Sequence, residues 1–198
     1  MRHSGNTNPP GRQKLIEALS TLLKTKHFQA ITTAEIAATA GVTEGLIYKY
    51  FKDKQDFLYQ VLYEQFTAFH REVKQGMMLA ETAVDKVEIL IRSSLNRYTE
   101  NRVFARMLLL EVRSTPAYFA TDAYGVARDF ARTLRGVIED GIARGEIDRR
   151  IDPLLLTKCI LGSIEHACLG EILFTRQLDV DSTTATLIHI FFDGVRAQ

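Results

Sequence analysis

Tryptophan is absent from this 198-residue chain, and proline occurs only at positions 9, 10, 116 and 153. From Gly11 to Thr115 nothing carries the ring that most effectively breaks a helix. Glycine is sparse at 12 residues and β-branched alternation is rare, so strand-built folds are disfavoured and an all-α fold is expected. No apolar run approaches the ~20 residues a helix needs to cross a bilayer. The stretch from Met1 to Gly11 holds no apolar core of a signal peptide. These absences predict a cytoplasmic protein.

The two cysteines, Cys159 and Cys168, lie nine positions apart in one expected helix. At ~100° per residue they point to opposite sides, which predicts two buried reduced thiols and no disulfide. The five histidines, at 3, 27, 70, 166 and 189, stand without partners at metal-ligand spacing. Gly-rich phosphate loops and nucleophile elbows are also missing. The expectation is a protein with no metal, no cofactor and no catalytic role.

What is present is divided unevenly. Net charge is +1, yet residues 1–54 hold eight Lys/Arg against four Asp/Glu, and the remainder carries net −3. A basic head on a mildly acidic body suits a phosphate-binding module joined to something else. Helical periodicity predicts an amphipathic helix over 12–27, built on Leu15, Ile16, Leu19, Leu22 and Leu23. Thr32 and Glu35 form a capping box opening a helix that ends near Ala40, where Gly41 stops it. Another short helix runs from Thr43 to Tyr50. Asp53 caps a long one over 54–75, and further helices are expected over 81–100, 102–114, a stretch from Pro116 to Gly145, 153–175 and 182–196. Nine helices result, with an N-terminal tail (1–11), a small three-helix domain (12–53) and a larger domain (54–198).

The informative segment is Thr33–Phe51. Ala37 lies four residues before Gly41, so a small side chain faces the place where the second helix crosses. Gly41 can take the positive φ that a tight turn between crossed helices requires. Ile36, Val42 and Ile47 supply the apolar lock. Thr43, Glu44, Gly45, Leu46, Tyr48 and Lys49 are left on the free side of the second helix. This is a helix-turn-helix whose second helix can enter a major groove. Thr33, Tyr50, Lys52 and Lys54 stand where phosphate contacts are made. In the helix 153–175, Cys159, Gly162, Ser163, His166 and Gly170 form a stripe of mostly small residues that admits a second helix. The last helix offers Leu187, Ile190, Phe191, Gly194 and Val195. Intrachain packing is the alternative use of both, and His166 is expected in an interface or core rather than on a metal.

The run from Ile31 to Leu58, with Ala-Gly-Val-Thr at 40–43, Gly45, Tyr48, Tyr50-Phe51, Lys54 and Leu58, resembles the DNA-binding signature of the TetR family. The resemblance implies a homodimer in which helices 1–3 bind double-stranded operator DNA and helices 4–9 form a regulatory domain. It implies that Thr33, Tyr50 and Lys54 hold phosphates while Thr43 to Lys49 face the groove. Gly45 would permit close approach, Leu46 would meet a thymine methyl, and Glu44 would accept from cytosine or restrain its neighbours. It also implies that the last two helices pair with their mates in a four-helix interface.

An effector pocket is then expected in the middle of the chain. Phe66, Phe69, Tyr98, Phe104 and Met107 are apolar candidates for its lining, as are Leu108, Phe130 and Ile164, with Glu111 and Arg113 beside them. Residues 107–170, with Leu-Glu-Val-Arg (110–113), Gly-Glu-Ile-Asp (145–148) and Leu-Gly-Ser-Ile-Glu (161–165), are similar to the fatty-acyl-CoA-responsive, FadR-like branch. That similarity implies an acyl chain in an apolar tunnel and phosphates on Arg106 or Arg113. The expected function is a repressor released from its operator by a small apolar effector. A ligand-independent DNA-binding activator or architectural protein, and a helical enzyme, are the alternatives.

Overall fold

The structure is a computed structural model that describes residues 9–174 and 177–194. Its described residues hold nine α-helices and no strand. None of these helices is long and apolar enough to cross a membrane. The chain divides into two compact units, one ending at Leu62 and the other beginning at Tyr63.

The first unit contains α1 (Pro10–Leu22), a 3-10 turn (Phe28–Ala30), α2 (Thr33–Ala40), α3 (Gly45–Tyr50) and the start of α4 (Lys54–Met77). Proline opens α1, where its missing N–H costs nothing. This helix stops at Leu22 rather than at 27. Lys24 and Thr25 are exposed while Phe28 and Ile31 are fully buried, so the chain turns to bring both into the core. Thr32 Oγ1 accepts from the Glu35 amide at 3.1 Å, but the Glu35 carboxylate pairs with Lys26 instead of reaching back. Only half of the expected capping box is formed. Gly41 takes φ +65°, and the Val42 amide bonds back to the Ala37 carbonyl at 3.0 Å, a left-handed helix stop. Ile36 and Ile47 are fully buried and Ala37 nearly so, which locks α2 against α3. Asp53 caps α4, its carboxylate accepting from the Asp56 amide at 2.8 Å.

The second unit contains the rest of α4, then α5 (Ala83–Glu100) and α6 (Arg102–Arg106), which continues as a π-helical turn over Met107–Glu111. A 3-10 turn (Pro116–Ala120) precedes α7 (Asp122–Ala143), α8 (Pro153–Phe174) and α9 (Val180–Ile188), the last ending in a π-helical turn, His189–Asp193. Each main start is capped as its sequence allows: Thr82, Asn101, Thr121 and Asp179 accept from the third residue of the following turn. α5 lies at the centre, packed by α7, α8 and α9, and it buries Val87, Leu90, Ile91, Leu95 and Tyr98. The expected helix 102–114 is shorter and ends in the wider turn. Gly194, at φ +87°, closes the last described turn, and Val195 lies outside the described residues.

Candidate functional site

The two halves of the helix-turn-helix are joined by a side-chain bond. Thr33 Oγ1, at the start of α2, donates to Glu44 Oε1, just before α3, at 2.5 Å. Glu44 therefore restrains the turn rather than standing free. Thr43, Gly45 and Lys49 are exposed, and Tyr48 projects with 57 % of its surface open. A Cβ at Gly45 would meet nothing within 4 Å. The protein's own packing does not require glycine there. Leu46 is half-buried, and its methyl Cδ2 comes within 2.9 Å of where a Cβ on Gly11 of α1 would stand. The side chain expected against a thymine is thus placed against the first helix.

The basic residues divide by burial. Lys52 is exposed, and Tyr50 is half-buried with Lys49 Nζ 5.7 Å from its ring centre. Lys54, expected on a phosphate, is placed otherwise. Its ammonium donates to the carbonyls of Ile31 (2.7 Å), Phe28 (3.1 Å) and Gln29 (3.3 Å) and sits 4.7 Å from the Phe28 ring centre. All three of its hydrogens are committed to the chain, and burial lowers its pKa. Arg12, counted in the basic head, is buried with its guanidinium 5.1 Å from the Phe51 ring centre. Sequence position alone gave no sign that these two cations turn inward.

In the second unit a cavity of about 70 Å³ lies among α4, α5, α7, α8 and the π-helical turn. Six of the expected residues line it: Phe66, Tyr98, Leu108, Arg113, Phe130 and Ile164. Phe69, Phe104 and Met107 are buried but are not among the residues that line it. Glu111 is also buried and faces Arg106, Nε to Oε1, at 3.3 Å. Ser94, Ala127, Leu161 and Glu165 complete the lining. Ser94 and Ala127 are small helix residues that carry no sequence signal, while Leu161 and Glu165 bound the Leu-Gly-Ser-Ile-Glu run. Glu165 holds Arg113 bidentately, at 2.8 and 2.6 Å, and the hydrogen-bonded carboxylate raises the guanidinium pKa. Neither arginine expected to hold phosphates is an unpaired cation.

The outer face of α8 is apolar and open. Leu155, Cys159, Gly162, His166, Leu173 and Phe174 are exposed, with Ser163 and Gly170 half-buried at its edges. On the last helix Ile190 is exposed, whereas Leu187, Phe191 and Gly194 are half-buried. The expected pair of buried thiols is corrected to one. Cys159 is exposed and Cys168 buried, because half a turn of α8 separates core from surface. Burial pushes the Cys168 thiol up to about 12.

An exposed short helix on a basic three-helix head, joined to a helical body with an internal cavity, defines a helix-turn-helix regulator. Comparison with known proteins makes the class specific. The family model "Bacterial regulatory proteins, tetR family" matches residues 15–61, and "Tetracyclin repressor-like, C-terminal domain" matches residues 80–168. Together they take in more than half of the chain, which belongs to the TetR family of transcriptional regulators. The Fatty acid metabolism regulator protein of Bacillus subtilis (strain 168) is 22% identical over 186 residues, covering 94% of this chain and 96% of that one. Among solved structures, the transcriptional regulator FadR from Bacillus subtilis in complex with stearoyl-CoA superposes with TM-score 0.85 at 22% identity, covering 93% of this chain and 99% of that one. The fatty acid degradation regulator FadR from Bacillus halodurans gives 0.87 at 20% identity, covering 98% and 100%. At such identities these two structures speak to the fold.

Proposed function

We propose that the protein is a cytoplasmic transcriptional repressor that acts as a homodimer, occupies operator DNA through α3, and is released when a fatty acyl-CoA enters the cavity of the second unit. The exposed face of α3 carries this assignment. Thr43, Gly45, Tyr48 and Lys49 stand clear of the protein's own packing, and Gly45 leaves room for a base edge to come close. Tyr50 and Lys52 flank that face as phosphate ligands, and Thr33, whose hydroxyl is held by Glu44, offers its backbone amide at the start of α2. The apolar face of α8, with the last helix beside it, is the surface on which two copies pair and hold their α3 helices one DNA turn apart, about 34–36 Å.

Ligand sites commonly measure roughly 300–1,000 Å³, so a cavity of about 70 Å³ has to open for an acyl chain. Phe66 on α4 and Phe130 on α7, their ring centres 5.6 Å apart, are the side chains a chain would part. A push on Phe66 is a push on α4, and that displacement is the proposed release step. Moving a two-state equilibrium from 1:99 to 99:1 takes about 5.5 kcal/mol of differential binding. Burial of about 220 Å² of apolar surface in one state only supplies that at ~25 cal/mol per Å².

The test is selection of a binding site from random duplex DNA, followed by gel shift with and without stearoyl-CoA. A specific complex is expected whose affinity falls steeply with salt and which dissociates on addition of stearoyl-CoA. Salt-dependent binding indifferent to stearoyl-CoA would leave a ligand-independent DNA-binding protein, and no binding to any duplex would overturn the assignment.

A further inference from the structure

The cavity is apolar along most of its wall and polar at one end. There Tyr98, only 5 % exposed, lines the space with Arg113 and Glu165. Its hydroxyl makes no hydrogen bond to any described residue. A hydroxyl that lines a cavity with its hydrogen uncommitted can donate to a polar atom that enters from outside. Burial, with the neighbouring Glu165 carboxylate, raises the phenol's pKa. It therefore keeps its hydrogen at neutral pH and offers a donor.

What that donor accepts is limited by its neighbours. Arg113, the cation among the lining residues, has two guanidinium nitrogens held by the two oxygens of Glu165 at 2.8 and 2.6 Å. A free carboxylate arriving here would find its natural partner already neutralised and a second carboxylate beside it. A neutral carbonyl oxygen carries no such penalty and gains the Tyr98 hydrogen.

We propose that this end of the cavity is a carbonyl-recognition site, in which Tyr98 donates to the carbonyl oxygen of an esterified acyl chain and Glu165, by neutralising Arg113, turns away chains that end in a free carboxylate. The proposal rests on the acyl effector assigned above and goes beyond it by naming the residues that tell an ester from an acid. Leu108, Phe66 and Phe130 would then follow the chain away from the carbonyl.

The experiment is calorimetric titration of the full-length protein with stearoyl-CoA and, separately, with stearate below its micelle concentration. Wild-type protein is expected to prefer stearoyl-CoA. Tyr98→Phe keeps the ring and removes the donor, and should weaken stearoyl-CoA binding about five- to tenfold, the effect of one neutral hydrogen bond. Glu165→Gln frees Arg113 and should strengthen stearate binding by about tenfold or more, with stearoyl-CoA binding changed less than about twofold. A purely structural role would move both ligands together, so the ratio of the two affinities is the decisive quantity. Unchanged stearoyl-CoA binding by Tyr98→Phe, or an unchanged ratio in Glu165→Gln, overturns the proposal while leaving the effector assignment standing. Wild-type protein that bound neither compound would remove the effector assignment and the proposal with it. The two variants are near-isosteric and independent, so failure of one to fold leaves the other arm decisive.

Discussion

Tyr48 and Lys54 lie six residues apart and play opposite parts. Tyr48 has more than half its surface open, whereas the ammonium of Lys54 closes the 3-10 turn by donating to three carbonyls. Tyr48→Ala is expected to abolish operator binding in a gel shift while changing unfolding free energy by no more than about 0.5 kcal/mol, as exposed substitutions do. Lys54→Met should do the reverse in kind, lowering stability by about 1–2 kcal/mol in urea titration, because it leaves carbonyls that bonded a charged donor without a partner. Both residues were legible as part of one motif. Their different duties were not, because a lysine's direction depends on which carbonyls the fold brings within reach.

At the scale of elements, α7 shows how one residue type means different things along a single helix. A Cβ on Gly141 would stand 2.6 Å from the Ala83 Cβ of α5 and 2.8 Å from the Ile147 Cδ1, while one on Gly125 would meet nothing within 4 Å. Gly141→Ala should destabilise by about 1–3 kcal/mol through overpacking. Gly125→Ala should stabilise by about 0.5–1 kcal/mol through helix propensity. Chemical denaturation of the pair separates the two effects. The same helix meets α4 where His70 Nε2 lies 2.9 Å from Thr133 Oγ1. That hydroxyl donates to the Asp129 carbonyl, so the imidazole N–H is the donor. Burial first, then the charge of Lys74, lowers the His70 pKa below its ordinary 6.5, against a smaller upward pull from Asp129. The folded protein therefore holds this proton less well than the unfolded chain. The stability contributed by neutral His70 is full above pH 6.5 and is lost as pH falls through the depressed folded value. Melting temperature is expected to fall between pH 7 and 5, and His70→Gln should flatten that slope. Helix positions and caps were legible beforehand, since Thr32, Asp53 and Gly41 act locally. The early end of α1 and the π-helical turn after Arg106 were not, because Phe28, Leu108 and Leu109 bend the chain toward cores that local periodicity does not encode.

For the whole molecule, the open apolar face of α8 makes a prediction about assembly. Gly162→Glu places a charge in the middle of that face. Sedimentation should then show a single protomer, with operator binding lost because one α3 alone reads half a site. A thiol reagent gives an independent check. In the pairing protein Cys159 should be shielded and react slowly, whereas in Gly162→Glu one thiol per chain should react quickly. Cys168, buried with its thiol held up to about 12, should stay silent in both.

By itself the order of residues determined the helical class, the helix-turn-helix and the family, because these rest on short-range rules of capping, propensity and spacing that act within a turn or two of helix. Only the tertiary structure decided which cations turn inward, which thiol is covered, and that Arg113 meets Glu165 beside an unpaired Tyr98. Those pairings join side chains from α5, from the turn after the π-helical segment and from α8, and the packing that brings them together depends on the volumes of every residue between.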